Sequence, residues 1–330
     1  MKSQTITFRS CPKIIAVSSV AGSKESEGIL GKYADTVLTD DMFGEETYER
    51  AERKMLTHVI DGAIRKGGLK REDVGLLVSG DLLNQIISAS FAAREFDIPF
   101  LGVYGACSTM AESLCLAACF LDGGYFSRAV AATGSHFASA ERQYRYPLEL
   151  GCIRPPQAQW TVTGAGAALL ASEGDGIAVT GATLGKVVDF GVTDVNNMGA
   201  AMAPAAADTI LAHFQESGKA PEDYDLIVTG DLGALGSRIL KDLTREKGVD
   251  LSSNHVDCGE IVYNVIEDEY QGGSGAGCSA LVLCSYLFEK MRMRQLKRVL
   301  FVATGALLST VSSGQGESIP CIAHAVTLEA

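Results

Sequence analysis

Two stretches of the chain, 150 residues apart, have nearly the same sequence: EDVGLLVSGDL at residues 72–82 and EDYDLIVTGDL at residues 222–232. Each is an apolar run closed by Gly-Asp, a pattern typical of a buried strand that ends in a turn. The run RAVAATG at 128–134 likewise returns as RVLFVATG at 298–305. Repeats that follow one order predict a chain built from two related halves.

The order of elements in each half predicts the fold class. Helix, strand, small-residue turn, helix and strand follow one another, which indicates mostly parallel strands joined by right-handed crossovers. The strands are continuously apolar, so helices should cover both faces of each sheet. We therefore expect a duplicated, five-layered α/β fold with halves at 1–172 and 173–330, separated at the polar SEGDG segment 172–176. Helix-type apolar spacing predicts helices at 47–66, 208–216 and 279–292.

Composition and charge exclude several classes of function. The formal net charge of −12 disfavours nucleic acid, because phosphate backbones are bound by Lys and Arg. We expect neither a membrane span nor a signal peptide, since no run approaches the ~20 apolar residues that a span needs. The nine cysteines have no metal-ligand spacing, so we predict reduced thiols, no metal site and no cofactor.

The turn GACS at 105–108 is the most informative local motif, and AGCS at 276–279 is its counterpart in the second half. It follows a short apolar strand and precedes an apolar helix, which places Cys107 and Ser108 at a strand-to-helix turn. Unpaired N–H groups at such a helix start lower the pKa of a thiol and attract anions. The motif therefore predicts a functional pocket, with a purely structural cysteine as the alternative.

A nucleophilic cysteine needs a base close by, normally histidine. Of the five histidines, His136 follows the strand that ends at Gly134 and is the best placed. His324 lies inside the final predicted strand and is expected to be a core residue. A Cys107–His136 pair would support acyl transfer, which is the enzyme hypothesis.

The turn at Cys107 resembles the reactive-cysteine turn of the thiolase superfamily, especially β-ketoacyl-ACP synthase III. The resemblance implies a thiolase-like αβαβα fold and places the second-half motifs at GDLG (230–233) and GGSGAG (272–277). The synthases carry a histidine at the first place and an asparagine at the second, and thiolases a histidine at the second. Asp231 and Ser274 stand there in this chain. The resemblance thus implies that Cys107 is a vestigial nucleophile and that the protein is not an enzyme.

Longer strings are similar to the stage V sporulation protein AD family of spore-forming bacteria: SGDLLNQ at 79–85, AERQYRYP at 140–147 and MAPAAADTI at 202–210. This resemblance implies a protein that binds dipicolinic acid or calcium dipicolinate, in dipicolinate uptake by the developing spore and release on germination. It also implies synthesis in the forespore, a peripheral place on the spore inner membrane, other stage V channel proteins as partners, and a homodimer. Calcium would come only as part of the ligand.

Dipicolinate is a planar ring with two carboxylates, so a helix start offers it complementary dipoles. Asp81 and Asp231 hold equivalent turns and are expected either to face the cavity, where they would tolerate a calcium chelate, or to cap the following helices. Arg142 and Arg145 are candidate carboxylate partners or exposed interface residues. The predicted ligand-binding set is Cys107, Ser108, Asp81, Leu83, His136, Arg142, Asp231 and Ser274.

Two further alternatives stay open at this point. The chain could be a structural scaffold for channel assembly whose pocket has lost its function. The basic run at 290–298 is interpreted as a solvated helix end, with contact to an acidic membrane surface as the alternative.

Overall fold

The computed structural model describes residues 3–145, 148–263 and 271–330. The strands are β1 (Thr5–Thr7), β2 (Lys13–Ala21), β3 (Thr36–Val37), β4 (Leu76–Gly80), β5 (Phe100–Gly102), β6 (Arg128–Ser135), β7 (Trp160–Thr161), β8 (Gly164–Ala171), β9 (Ile177–Thr183), β10 (Leu226–Thr229), β11 (His255–Asp257), β12 (Gly273–Ser274), β13 (Arg298–Ala306) and β14 (Cys321–Glu329).

The α-helices alternate with these strands along most of the chain. They are α1 (Ser23–Glu27), α2 (Tyr48–Lys66), α3 (Ile87–Ala93), α4 (Thr109–Asp122), α5 (Phe137–Tyr144), α6 (Met198–Ser217), α7 (Gly233–Glu246), α8 (Cys258–Tyr263), α9 (Ala276–Val282), α10 (Phe288–Arg292) and α11 (Thr310–Gly314). A π-helical turn at Leu283–Leu287 joins α9 to α10. No helix in the described ranges is long and apolar enough to span a bilayer.

Ten of the strands follow one another across a single mixed sheet in the order β11-β10-β13-β14-β9-β2-β8-β6-β4-β5. Near its middle, β1 pairs with β9 and β3 pairs with β2. Strands β4, β5 and β6 are parallel, as are β10, β11 and β13. The central strands β14, β9, β2 and β8 pair antiparallel. The expectation of mostly parallel strands is therefore wrong at the centre, because burial on both faces does not set strand direction.

The strands on the β2 side of the sheet and those on the β9 side are joined by only a short run of strand pairing. Strand β2 pairs with β9 at Lys13 and Ile14 alone. It pairs with the short strand β3 only at Val20 and Ala21. Between these points the described residues provide no strand on that edge of β2, which leaves an opening in the side of the molecule.

Helices cover the sheet in layers, as the apolar strands predict. Helix α2 packs on β2, β6 and β8, and α6 packs on β13 and β14, so these two helices form outer layers. Helices α4 and α9 share one buried core with strands from both halves, which places them in the middle layer. The predicted α/β fold with five layers is confirmed. The predicted boundary at 172/173 falls in the turn between β8 and β9 and stays a prediction.

Candidate ligand pocket

A small, partly open cavity lies against the turn that carries Cys107. Its volume is about 30 Å³, which is room for about one water molecule. Two residues of the predicted ligand-binding set, Cys107 and Ser274, line it. The complete lining is Leu82, Tyr104, Ala106, Cys107, Ala140, Glu141, Tyr144, Arg145, Thr161, Met198, Ser274, Ala306 and Leu308.

The turn at Cys107 is held by its own side chains. Ala106 has φ of 51°, a left-handed conformation that costs a non-glycine residue energy and recurs at functional sites. The Ser108 hydroxyl donates to the Gly105 carbonyl at 2.7 Å, and the Thr109 hydroxyl to the Ala106 carbonyl at 2.6 Å. Ser108 therefore stabilises the turn, whereas Cys107 is the residue of the pair that reaches the cavity wall.

The thiol of Cys107 faces a carboxylate. Burial, followed by the charge of Asp231 and a hydrogen bond to its side chain, raises the pKa of Cys107 well above its usual value. Asp231 also accepts a hydrogen bond from the Thr304 hydroxyl, and the Gly275 N–H lies 3.4 Å from its Oδ2. Burial raises the pKa of Asp231 to about 7. The expected lowering of the thiol pKa is wrong, because complete burial beside a carboxylate outweighs the helix start.

His136 is the N-cap of α5 and has no free ring nitrogen. Its Nδ1 accepts from the Ala138 N–H at 3.1 Å, and its Nε2 lies 2.7 Å from the Asp41 carbonyl oxygen. Burial lowers the pKa of His136. Because both nitrogens are engaged away from the cavity, the Cys107–His136 pair of the enzyme hypothesis does not form in this structure.

Asp81 has a capping geometry. Its Oδ1 accepts from the Leu83 N–H at 2.8 Å, and its Oδ2 from the Ala89 N–H in α3 at 2.7 Å. Both Asp81 and Leu83 are buried. The residue between them, Leu82, is the one that lines the cavity. The helix-capping alternative therefore describes the contacts of Asp81 in this structure.

The two candidate arginines of α5 and its C-cap have different surroundings. Arg142 forms an exposed ion pair with Glu49, outside the cavity lining. Arg145 lines the cavity, and its side chain is only 6% exposed. Its Nη1 donates to Glu141 Oε1 at 2.6 Å, while its buried Nε has no partner among the described residues.

Of the two arginines, the predicted ligand-binding set included Arg142, whereas Arg145 is the one that lines this cavity; which of them contacts a ligand stays a prediction. The Glu141–Arg145 spacing of four residues, with Glu141 in a helix, was the available signal. Glu141 Oε1 also accepts from Arg154 at 2.8 Å. The last two residues of the string AERQYRYP, 146 and 147, lie outside the described residues.

Two tyrosines lie between the cavity and an adjacent surface groove. The hydroxyls of Tyr104 and Tyr144 are 2.9 Å apart, and the Tyr144 hydroxyl donates to the Leu82 carbonyl. Both rings also line a surface groove of about 470 Å³ that includes Asn84 and Gln143. The tyrosine pair thus lines both the cavity at Cys107 and this surface groove.

Comparisons with known proteins agree with the fold and with the resemblance drawn from the sequence. The family model described as stage V sporulation protein AD matches residues 2–329. The chain is 45% identical over 326 residues to the stage V sporulation protein AD of Bacillus subtilis (strain 168), covering 99% of this chain and 96% of that protein.

The similar solved structures are thiolase-like enzymes. The 3-oxoacyl-(acyl-carrier-protein) synthase III from Aquifex aeolicus VF5 has a TM-score of 0.58 and 15% identity, covering 97% of this chain and all of that one. Cerulenin-bound OleA from Xanthomonas campestris has a TM-score of 0.62 and 16% identity, with 100% of both chains covered. At such identities the likeness shows the thiolase-like fold alone. By the family match along its whole length, the chain belongs to the stage V sporulation protein AD family.

Proposed function

We propose that this sporulation protein is a non-catalytic receptor for dipicolinic acid or its calcium chelate. It acts in dipicolinate uptake by the developing spore and release on germination, as a homodimer within a channel complex at the spore inner membrane. The observation that supports the proposal most directly is the buried Nε of Arg145 in the wall of the cavity, which has no partner among residues 3–145, 148–263 and 271–330.

A buried guanidinium N–H without an acceptor is costly, because the group has given up its bonds to water. A ligand carboxylate supplies the missing acceptor, and hydrogen bonds between ionised groups are among the stronger ones. The apolar wall formed by Leu82, Met198 and Leu308 suits the face of a planar ring. The chemistry of the cavity therefore matches an aromatic carboxylate.

The cavity must open before such a ligand can bind. Its volume of about 30 Å³ holds about one water, far less than a six-membered ring with two carboxylates. The Tyr104–Tyr144 pair stands between the cavity and the adjacent groove. Displacing it breaks the hydroxyl contact and the bond to Leu82, each worth about 1 kcal/mol. We infer that the ligand reaches Arg145 through this tyrosine pair.

The state of Cys107 favours a contact role over nucleophilic attack. The thiolate is the nucleophile, and burial beside Asp231 raises the pKa of this thiol. Acyl transfer through Cys107 is the second candidate function, because the structural neighbours are acyl-condensing enzymes of the same fold. A scaffold role in channel assembly, with an unused pocket, is the third.

The test is a calorimetric titration of the whole chain with dipicolinic acid, with and without calcium. Isophthalic acid is the matched control, since it has the same two carboxylates but lacks the ring nitrogen. We expect saturable binding of dipicolinic acid and weaker binding of isophthalic acid. Absence of binding, together with acyl-CoA labelling that is lost in Cys107→Ala, would replace the receptor by an acyltransferase. Absence of both would leave the scaffold.

A further inference from the structure

A second and larger cavity lies where β2 separates from β9, away from the pocket at Cys107. Its volume is about 580 Å³, and none of its lining residues lines the small cavity. Ile15 and Val17 of β2 form part of its wall, and the ends of α2 and α10 contribute Lys66, Lys290 and Arg292. We call this cavity the basic groove.

The charge of the groove is opposite to that of the chain. The sequence has 40 acidic and 28 basic residues. Where the structure describes its lining, the groove has four cationic side chains and two carboxylates, those of Asp35 and Glu289. At physiological salt, charges within ~10 Å determine the local electrostatic potential more than a distant net charge does. A small anion in the groove would therefore meet a positive local potential.

Two of the four cations are already neutralised. Lys66 is ion-paired with Asp35. Arg292 makes a bidentate contact with Glu289, with distances of 2.8 Å from Nε and 2.7 Å from Nη2. Each of these two ion pairs therefore adds no net charge to the groove.

The remaining cations, Lys32 and Lys290, have no carboxylate partner among the described residues. The Lys290 ammonium donates to Gln295 Oε1 at 2.8 Å, which leaves two of its three N–H groups for other acceptors. It lies over the rings of Tyr33 and Tyr286, at 5.9 and 5.5 Å from their centroids. The groove thus holds two lysines that form no ion pair with a carboxylate in the part of the chain that the structure describes.

The backbone around the groove is irregular at two places. The π-helical turn Leu283–Leu287 brings Cys284 and Ser285 into the wall, and such turns are frequent at functional sites. On the β2 edge, the Ser19 N–H donates to the Asp35 carboxylate in place of a neighbouring strand. The first irregularity forms part of the groove wall, and the second fixes Asp35, which also lines the groove.

We propose that the basic groove binds a phosphate group through Lys32 and Lys290. A phosphate group carries two negative charges as a monoester and one as a phospholipid diester, so it offsets the two ammonium charges fully or by half, and lysine binds phosphate as a point charge without the planar geometry that arginine imposes. The same chemistry is offered by a soluble phosphate compound and by a phospholipid headgroup. The proposal does not depend on dipicolinate binding, because the two cavities share no residue.

The experiment uses the whole chain and two phosphate probes. Pyrophosphate is titrated by calorimetry at low salt, and binding to vesicles of phosphatidylglycerol with phosphatidylcholine is compared with binding to phosphatidylcholine alone by co-sedimentation. The groove variant is Lys32→Glu with Lys290→Glu. The control is Lys219→Glu with Lys247→Glu, which changes the net charge equally at two lysines outside the groove.

We expect the groove variant to weaken phosphate binding about tenfold or more, because it repels the anion at close range, while the control keeps wild-type affinity. Binding to pyrophosphate identifies a soluble source, and binding only to phosphatidylglycerol vesicles identifies a lipid headgroup. No binding in either assay, or an equal loss in both variants, overturns the proposal. Lys32→Gln with Lys290→Gln replaces the charge reversal if that variant has a lowered melting temperature.

Discussion

The substitution Arg145→Gln tests whether Arg145 binds the ligand or only stabilises the fold. The side chains of Arg145 and Glu141 are 6% and 9% exposed, so their pair is shielded from solvent. A hydrogen bond to a charged group contributes about 1.5–3 kcal/mol. Its loss should raise the dissociation constant of dipicolinic acid about 10- to 150-fold.

The same substitution should cost less stability than breaking an isolated buried ion pair. Removing one partner of such a pair usually costs about 3–5 kcal/mol, because the other charge is left alone. Here Glu141 keeps the hydrogen bond from Arg154 at 2.8 Å. We therefore expect a loss of about 1–2 kcal/mol in the free energy of unfolding, measured by urea denaturation. The variant should remain folded for calorimetry.

The matched control is Arg142→Gln, three residues earlier in the sequence. Arg142 pairs with Glu49, and their side chains are 39% and 44% exposed. Exposed pairs contribute about 0–1 kcal/mol, and this one lies outside the cavity lining. The control should therefore bind dipicolinic acid like the wild type. If Arg142→Gln weakened binding and Arg145→Gln did not, the pocket would lie elsewhere.

Three further outcomes are expected from the site. Tyr144→Phe removes the hydroxyl that joins the tyrosine pair to Leu82, so dipicolinic acid should associate faster in stopped-flow measurements; an unchanged rate would contradict access through this pair. Iodoacetamide at pH 8 should label the exposed Cys152 and leave the buried Cys107 unmodified in peptide mass spectra, whereas rapid labelling of Cys107 would show a reactive thiolate. The folded-state pKa of Asp231, about 7, lies above the ~3.9 of an unfolded aspartate, so its stabilising proton is present at low pH and lost as pH rises through 7. The melting temperature should therefore fall between about pH 4 and about pH 7 and level off above that, and Asp231→Asn should reduce that fall; an unchanged pH dependence would show that Asp231 is not protonated in the folded protein.

The repeated strands were enough to predict the fold class, but not strand direction or every helix boundary. The helix predicted at 208–216 begins ten residues earlier, at Met198. Its first turns consist mostly of Gly, Ala and Met and are buried, so they lack the contrast between polar and apolar faces that marks a helix in sequence. Pro204, which normally breaks a helix interior, also lies inside it.

The site residues could be predicted from sequence where a motif fixes a backbone turn. They could not be predicted where packing of a segment against the core decides which side chain reaches the cavity. GACS places Cys107 at the cavity because the turn itself forms the wall. Arg142 and Arg145 are three residues apart, yet one is at the surface and the other lines the cavity. That difference depends on how α5 packs against the core and on the non-helical backbone of Arg145, which follows the last residue of the helix. The role of Asp81 likewise depends on where the N–H groups of α3 lie in space.

The surroundings of Cys107 differ from those that a nucleophilic cysteine requires. In a nucleophilic site, a base or a positive charge beside the helix start favours the thiolate. Here Asp231 stands beside the Cys107 thiol and raises its pKa together with burial. The positive group in the cavity wall is Arg145, whose charge only partly offsets these effects on the thiol and whose Nε has no partner in the described parts of the chain. A pocket that keeps its thiol protonated and offers its cation to a carboxylate is better suited to hold an anion than to form a thioester.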